Sequence, residues 1–191
     1  MKLEKLKFYV PALLLAMVAF TACSSDDPEP VNEEELITTL RVTFTGTGNT
    51  QGIVVATFKD LDGAGGDAPE ITNPVTLAEN GTYNVSVEFL NEAESPVENI
   101  TEEVSEEADE HQIFFTASAG LNFFYEYTDQ DSNGQPIGLQ GIVSTGEAGI
   151  GTLQVLLIHE PLKTASSVSD GDPTNAGGET DISVSFNIAI Q

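Results

Sequence analysis

Apolar and polar residues alternate with a period of two along most of this chain. The clearest run closes the sequence, where Ile182, Val184, Phe186, Ile188 and Ile190 fall on one face of an extended strand and Ser183, Ser185, Asn187 and Ala189 on the other. The same alternation recurs at Leu40-Val42-Phe44, Tyr83-Val85-Val87-Phe89, Leu121-Phe123-Tyr125-Tyr127 and Leu153-Val155-Leu157. Ile53 to Phe58 and His111 to Thr116 read as strands covered on both sides. Clusters of Gly, Asn, Asp and Pro separate these runs, at Gly46 to Gly52, Asp60 to Pro69, Glu79 to Gly81, Asp129 to Pro136 and Ser166 to Gly178. Short strands joined by polar turns, with no long 3.6-residue period, predict an all-β fold: an antiparallel, immunoglobulin-like β-sandwich of eight or nine strands. One stretch departs from the pattern. Thr101 to Glu110 predicts a short turn or helix, with Thr101 as its cap and Glu102 and Glu103 suited to the positive helix N-terminus.

The first residues obey a different logic. Lys2, Lys5 and Lys7 precede an apolar run from Phe8 to Phe20, 13 residues and so well short of the roughly 20 that a spanning helix needs. Residues 1–22 are therefore expected to be a cleaved export signal. Thr21-Ala22-Cys23 resembles the bacterial lipobox, with Phe20 where Leu is usual, and the resemblance implies that Cys23 is lipidated and becomes the new N-terminus. Cys23 is the sole cysteine, so no intrachain disulfide can form. Residues 23–35, rich in Ser, Asp, Glu and Pro, cannot bury a core and read as an acidic flexible tether. Residues 36–191 are left as a single sandwich domain.

Charge narrows the function. The chain carries 31 acidic and 6 basic residues. Loss of residues 1–22 removes three lysines and Glu4, leaving 3 − 30 = −27 on 169 residues (191 − 22). Such a field repels nucleic acid and anionic lipid and disfavours phosphate-rich ligands, while it collects cations weakly. Nucleic acid is excluded as a partner.

Two histidines carry the sharpest chemistry. Asp109-Glu110-His111 and His159-Glu160-Pro161 each place an imidazole beside a carboxylate at the end of a predicted strand. On strict alternation His111 shares a face with Ile113 and Phe115, and His159 with Leu153, Val155 and Leu157. If the two strands are neighbours, His111, His159, Glu110 and Glu160 form an N/O set suited to a divalent metal such as zinc or copper, or two imidazoles for haem iron. Hydrogen-bonded structural histidines are the plainer reading. Asp129-Gln130-Asp131-Ser132-Asn133-Gly134 matches the opening of an EF-hand loop, which makes Asp129, Asp131 and Asn133 calcium candidates. The match ends at Gln140, where a bidentate Glu should close the shell, and a tight hairpin explains the same residues. No catalytic Cys setting, Gly-x-Ser-x-Gly elbow, phosphate loop or HExxH occurs, so no enzyme is expected. Trp is absent, and only Tyr83, Tyr125, Tyr127 and a few Phe could stack on a sugar.

The signal, the tether that begins Ser24-Ser25-Asp26-Asp27-Pro28-Glu29-Pro30, and the segments Glu110-His111-Gln112, Tyr127 to Gly134 and Gly177-Gly178-Glu179-Thr180-Asp181 resemble small surface lipoproteins of Bacteroidota over nearly the whole chain. Some of that group are labelled "type 1 periplasmic binding fold", whose two α/β lobes conflict with the strand pattern and length here. The resemblance implies a surface-exposed outer-membrane location, held by the N-terminal lipid beside an outer-membrane transporter. It implies no catalytic residues. The expected function is a non-enzymatic binding or accessory module for capture of metal, haem or another nutrient. A structural or adhesive envelope module without a small-molecule ligand is the alternative, and an extracellular hydrolase the third reading.

Overall fold

The alternating runs fold as strands of two facing sheets. The computed structural model describes residues 36–191 except 64 and 65; the expectations for the signal, Cys23 and the tether lie outside the described residues. Ten strands follow in order: β1 (Thr39–Gly46), β2 (Ile53–Lys59), β3 (Glu70–Ile71), β4 (Val75–Leu77), β5 (Thr82–Leu90), β6 (His111–Ala117), β7 (Phe123–Tyr127), β8 (Gln140–Thr145), β9 (Gly149–His159) and β10 (Glu179–Ile190). One helix, α1 (Ile100–Glu106), lies between β5 and β6. A six-stranded sheet runs β3-β2-β1-β5-β8-β7 and a four-stranded sheet β4-β10-β9-β6. The pairs are antiparallel except β4 with β10, which is parallel.

The core lies where period-2 patterning puts it. Leu40, Val42 and Phe44 of β1 and Val85, Val87 and Phe89 of β5 meet Leu153, Val155 and Leu157 of β9 and Val184, Phe186, Ile188 and Ile190 of β10 in one buried cluster. Phe44 packs edge-on against Tyr83 and Phe123, with centroids 6.2 and 6.3 Å apart. β6 is covered on both faces, as its composition predicts. Ile113 faces the main core, while Phe114 packs outward with Ile158, Val168 and Ala176 beneath the segment that joins β9 to β10.

Four expectations change. The strand count among the described residues is ten because β3 and β4, of two and three residues, are too short to show a period, and Gly141 interrupts the pattern of β8. The sandwich divides six and four and contains a parallel pair, so it is not purely antiparallel. β2 is covered on one face only, with Ile53 67% and Val55 40% exposed. Thr101 does not cap α1: Asn99 occupies the cap position, and the Thr101 hydroxyl accepts from Phe89 N (2.8 Å) and donates to Phe89 O (3.0 Å), tying α1 to β5. Ile100 and Val104, both buried in the core, hold the helix despite its like charges.

Candidate metal centre

β6 begins at His111 and β9 ends at His159, and the two residues are direct antiparallel partners. Partners in register point to the same face. Both side chains therefore lie at the end of the inner face, below Ile113 and Leu157, and both are buried. The rings stack with centroids 4.6 Å apart and planes 16° from parallel. His111 Nδ1 is 3.2 Å from the Glu107 carbonyl, an acceptor only, which assigns the ring proton to Nδ1. Its Nε2 is turned toward Asp181 Oδ2 at 3.9 Å. Asp181 occupies a β-bulge, where the β10–β9 register shifts between Thr180 and Ile182, and its side chain is only 2% exposed.

The rim of this stack carries the ligand set. Ligand atoms of Glu110, His159 and Glu160 all lie within 4.8 Å of one another, and His159 Nε2 is 3.6 Å from Glu110 Oε2. Backbone geometry brings the acids together: the Glu160 amide donates to the Glu110 carbonyl at 2.6 Å, extending the β6–β9 ladder one step past the histidines. Glu160 takes φ +50°, in the left-handed region that non-glycine residues avoid. Opposite it, Gly178 has φ +72°, and a Cβ there would sit 2.2 Å from the His159 carbonyl oxygen, so only glycine fits.

The chemistry of this set is specific. Zinc binds N and O atoms at about 2.0–2.2 Å, so its ligand atoms lie about 3.4 Å from one another in a tetrahedral shell. Glu110 and Glu160 are exposed and can close that distance by side-chain rotation. His111 occupies a different place in the arrangement. Imidazole lone pairs lie in the ring plane, so two nearly parallel stacked rings aim them side by side, not at one ion. His111 thus backs His159 as a buried support. Rings in contact also leave no gap for a macrocycle, so the pair is not arranged to hold haem iron from both sides.

The residues proposed for calcium are placed otherwise. Asp129 accepts from Gly138 N and Gln140 N, one bond to each oxygen at 2.9 Å. Asp131 Oδ1 accepts from Asn133 N and Gln135 N, and its Oδ2 takes an ion pair from Lys163 Nζ at 3.0 Å. Lys163 also donates to the Ala108 and Pro136 carbonyls. The ammonium stands where a cation would, and the Asp carboxylates shape a hairpin in which Gly134 supplies φ +79°. Burial opposes the ionised form of Asp131, but the Gln135 amide, the Lys163 ammonium and the Asn133 amide outweigh it and hold the carboxyl below its ordinary value.

Asp181 and Lys163 were not among the expected site residues. No chemical motif marks either, and only the bulge and the β9–β10 connection bring them to their partners. Comparison with protein-family models, curated proteins and solved structures finds no match to this chain. Among the described residues no helix is long and apolar enough to cross a membrane.

Proposed function

We propose that this protein is a surface-exposed outer-membrane lipoprotein that serves as a non-enzymatic binding module for a divalent transition cation, zinc or copper, and presents it to an outer-membrane transporter. The convergence of Glu110, His159 and Glu160 on the rim of the sandwich carries this reading. One imidazole with two carboxylates suits borderline ions, whereas calcium and magnesium prefer oxygen alone. Further support comes from the acidic field, which concentrates cations at the surface, and from the stacked His111, which holds the His159 ring in place. Glu160 is kept in a costly backbone conformation at the point where its carboxylate meets the set, as strained residues at binding sites often are. The leader and Cys23 support the anchored location.

Isothermal titration of the metal-stripped protein with zinc, with calcium as the comparison, tests the reading. One equivalent of zinc should bind, and His159→Ala should weaken it by at least about tenfold. Zinc uptake that is absent, or that His159→Ala leaves unchanged, would remove the site and the function built on it.

A further inference from the structure

Zinc prefers a tetrahedral shell of ligands, and among the described residues Glu110, His159 and Glu160 are the ones that converge. The nearest further donors are engaged or directed elsewhere. His111 stacks behind His159, with its Nε2 toward Asp181. Glu179 is the register partner of His159 on β10, but it is exposed and stands outside the converging set. The three do not enclose an ion. His159 is buried and closes the inner side, whereas the Glu110 side chain is 52% exposed and Glu160 is exposed, so the remaining position faces solvent. Three protein ligands and one solvent-side position make a shell that exchanges outside donors, which a closed shell of four does not.

Charge selects the donor. Two carboxylates already neutralise a divalent ion, and Asp109 in the chain and Glu179 in the sheet adjoin the set with further negative charge. Basic residues offset none of it. Residues 36–191 contain Arg41, Lys59 and Lys163, which pair with Glu88 and Glu92, with Glu92, and with Asp131. A carboxylate or thiolate approaching from outside therefore meets repulsion that a neutral nitrogen avoids. Imidazole is the neutral side-chain donor that suits both zinc and copper. We propose that the ion held by Glu110, His159 and Glu160 keeps its outward position for a histidine side chain of the accepting protein, a step that rests on the metal-binding role proposed above. The exchange replaces one bound water with one neutral nitrogen, so neither a proton nor an electron moves. With one position free the donor binds through one atom, and the amine of a free amino acid adds nothing.

Cobalt(II), whose visible bands report its ligands, tests this in the full protein loaded with one equivalent. Imidazole, acetyl-histidine amide, free histidine and acetate are titrated in turn at low salt, at about pH 8, where imidazole is neutral. Imidazole and the blocked histidine should shift the bands saturably with cobalt retained, at least about tenfold more tightly than acetate, and added salt should narrow that margin. Glu179→Gln should respond as the parent does. The proposal is overturned if the bands do not move, if only Glu179→Gln responds, if acetate binds as tightly, or if imidazole strips the cobalt. It is overturned too if free histidine binds at least about tenfold more tightly than the blocked form with cobalt retained, since the donor would then be a small chelating amino acid. Cobalt uptake without a band shift removes this step and leaves the metal site standing, whereas a protein that takes up no cobalt removes both.

Discussion

Glu160 occupies a backbone conformation that glycine adopts freely and a glutamate does not. The left-handed region costs a side-chain-bearing residue about 1–2 kcal/mol, offset in part by the larger unfolded-state entropy of glycine. Glu160→Gly should therefore leave urea stability unchanged or raise it by up to about 1 kcal/mol, while zinc affinity falls. A variant that loses stability and keeps zinc would show that the conformation serves packing alone. At this scale the sequence was informative about kinds of residue. His111, His159, Glu110 and Glu160 stood out because imidazoles are rare here and each adjoins an acid. Which of them converge did not follow from spacing: the stacking of His111 behind His159 depends on ring orientation, and Asp181 reaches the pair only through a bulge.

Elements with long alternating runs were legible, because four or five inward side chains repeat the same choice at β5, β9 and β10. The short β3 and β4 carry no such redundancy, and β8 hides behind Gly141. The hairpin after β7 was legible as a turn, yet its anchor was not, since Lys163 arrives from the segment after β9. That anchor sets a pH dependence. The folded carboxyl of Asp131 lies below its unfolded value, so the group contributes stability above that unfolded value, near pH 4, and the contribution is lost as pH falls through the folded value. Asp131→Asn should flatten this part of the acid limb in thermal melts taken from pH 7 to pH 3. Lys163→Met should be the harsher change, at about 3–5 kcal/mol near neutral pH, because it strands a buried carboxylate. The double variant should recover part of that loss; if it does not, the pair is not the anchor of the hairpin.

Over the whole molecule, period-2 patterning sufficed for two packed sheets because every inward face needs a partner layer. It was insufficient for sheet order, since pairing β6 with β9 joins residues 48 apart in sequence (159 − 111), and nothing local encodes that neighbour. Sheet order is also what turns two distant histidines into one row. Charge acts at this scale as well, and it separates the two ways a protein can stay on a membrane. A domain that carries 24 acids and 3 basic residues over residues 36–191, 3 − 24 = −21, is repelled by anionic headgroups, so electrostatic adsorption cannot hold it. An acylated Cys23 would hold it through chains worth about 0.8 kcal/mol per buried methylene, a contribution that salt does not screen. The parent protein should remain in the membrane fraction through a high-salt wash and incorporate labelled fatty acid, whereas Cys23→Ala should appear in the soluble fraction without label. Membrane retention of that variant, together with an unlabelled parent, would mean that attachment runs through a protein partner and that Cys23 is not the anchor.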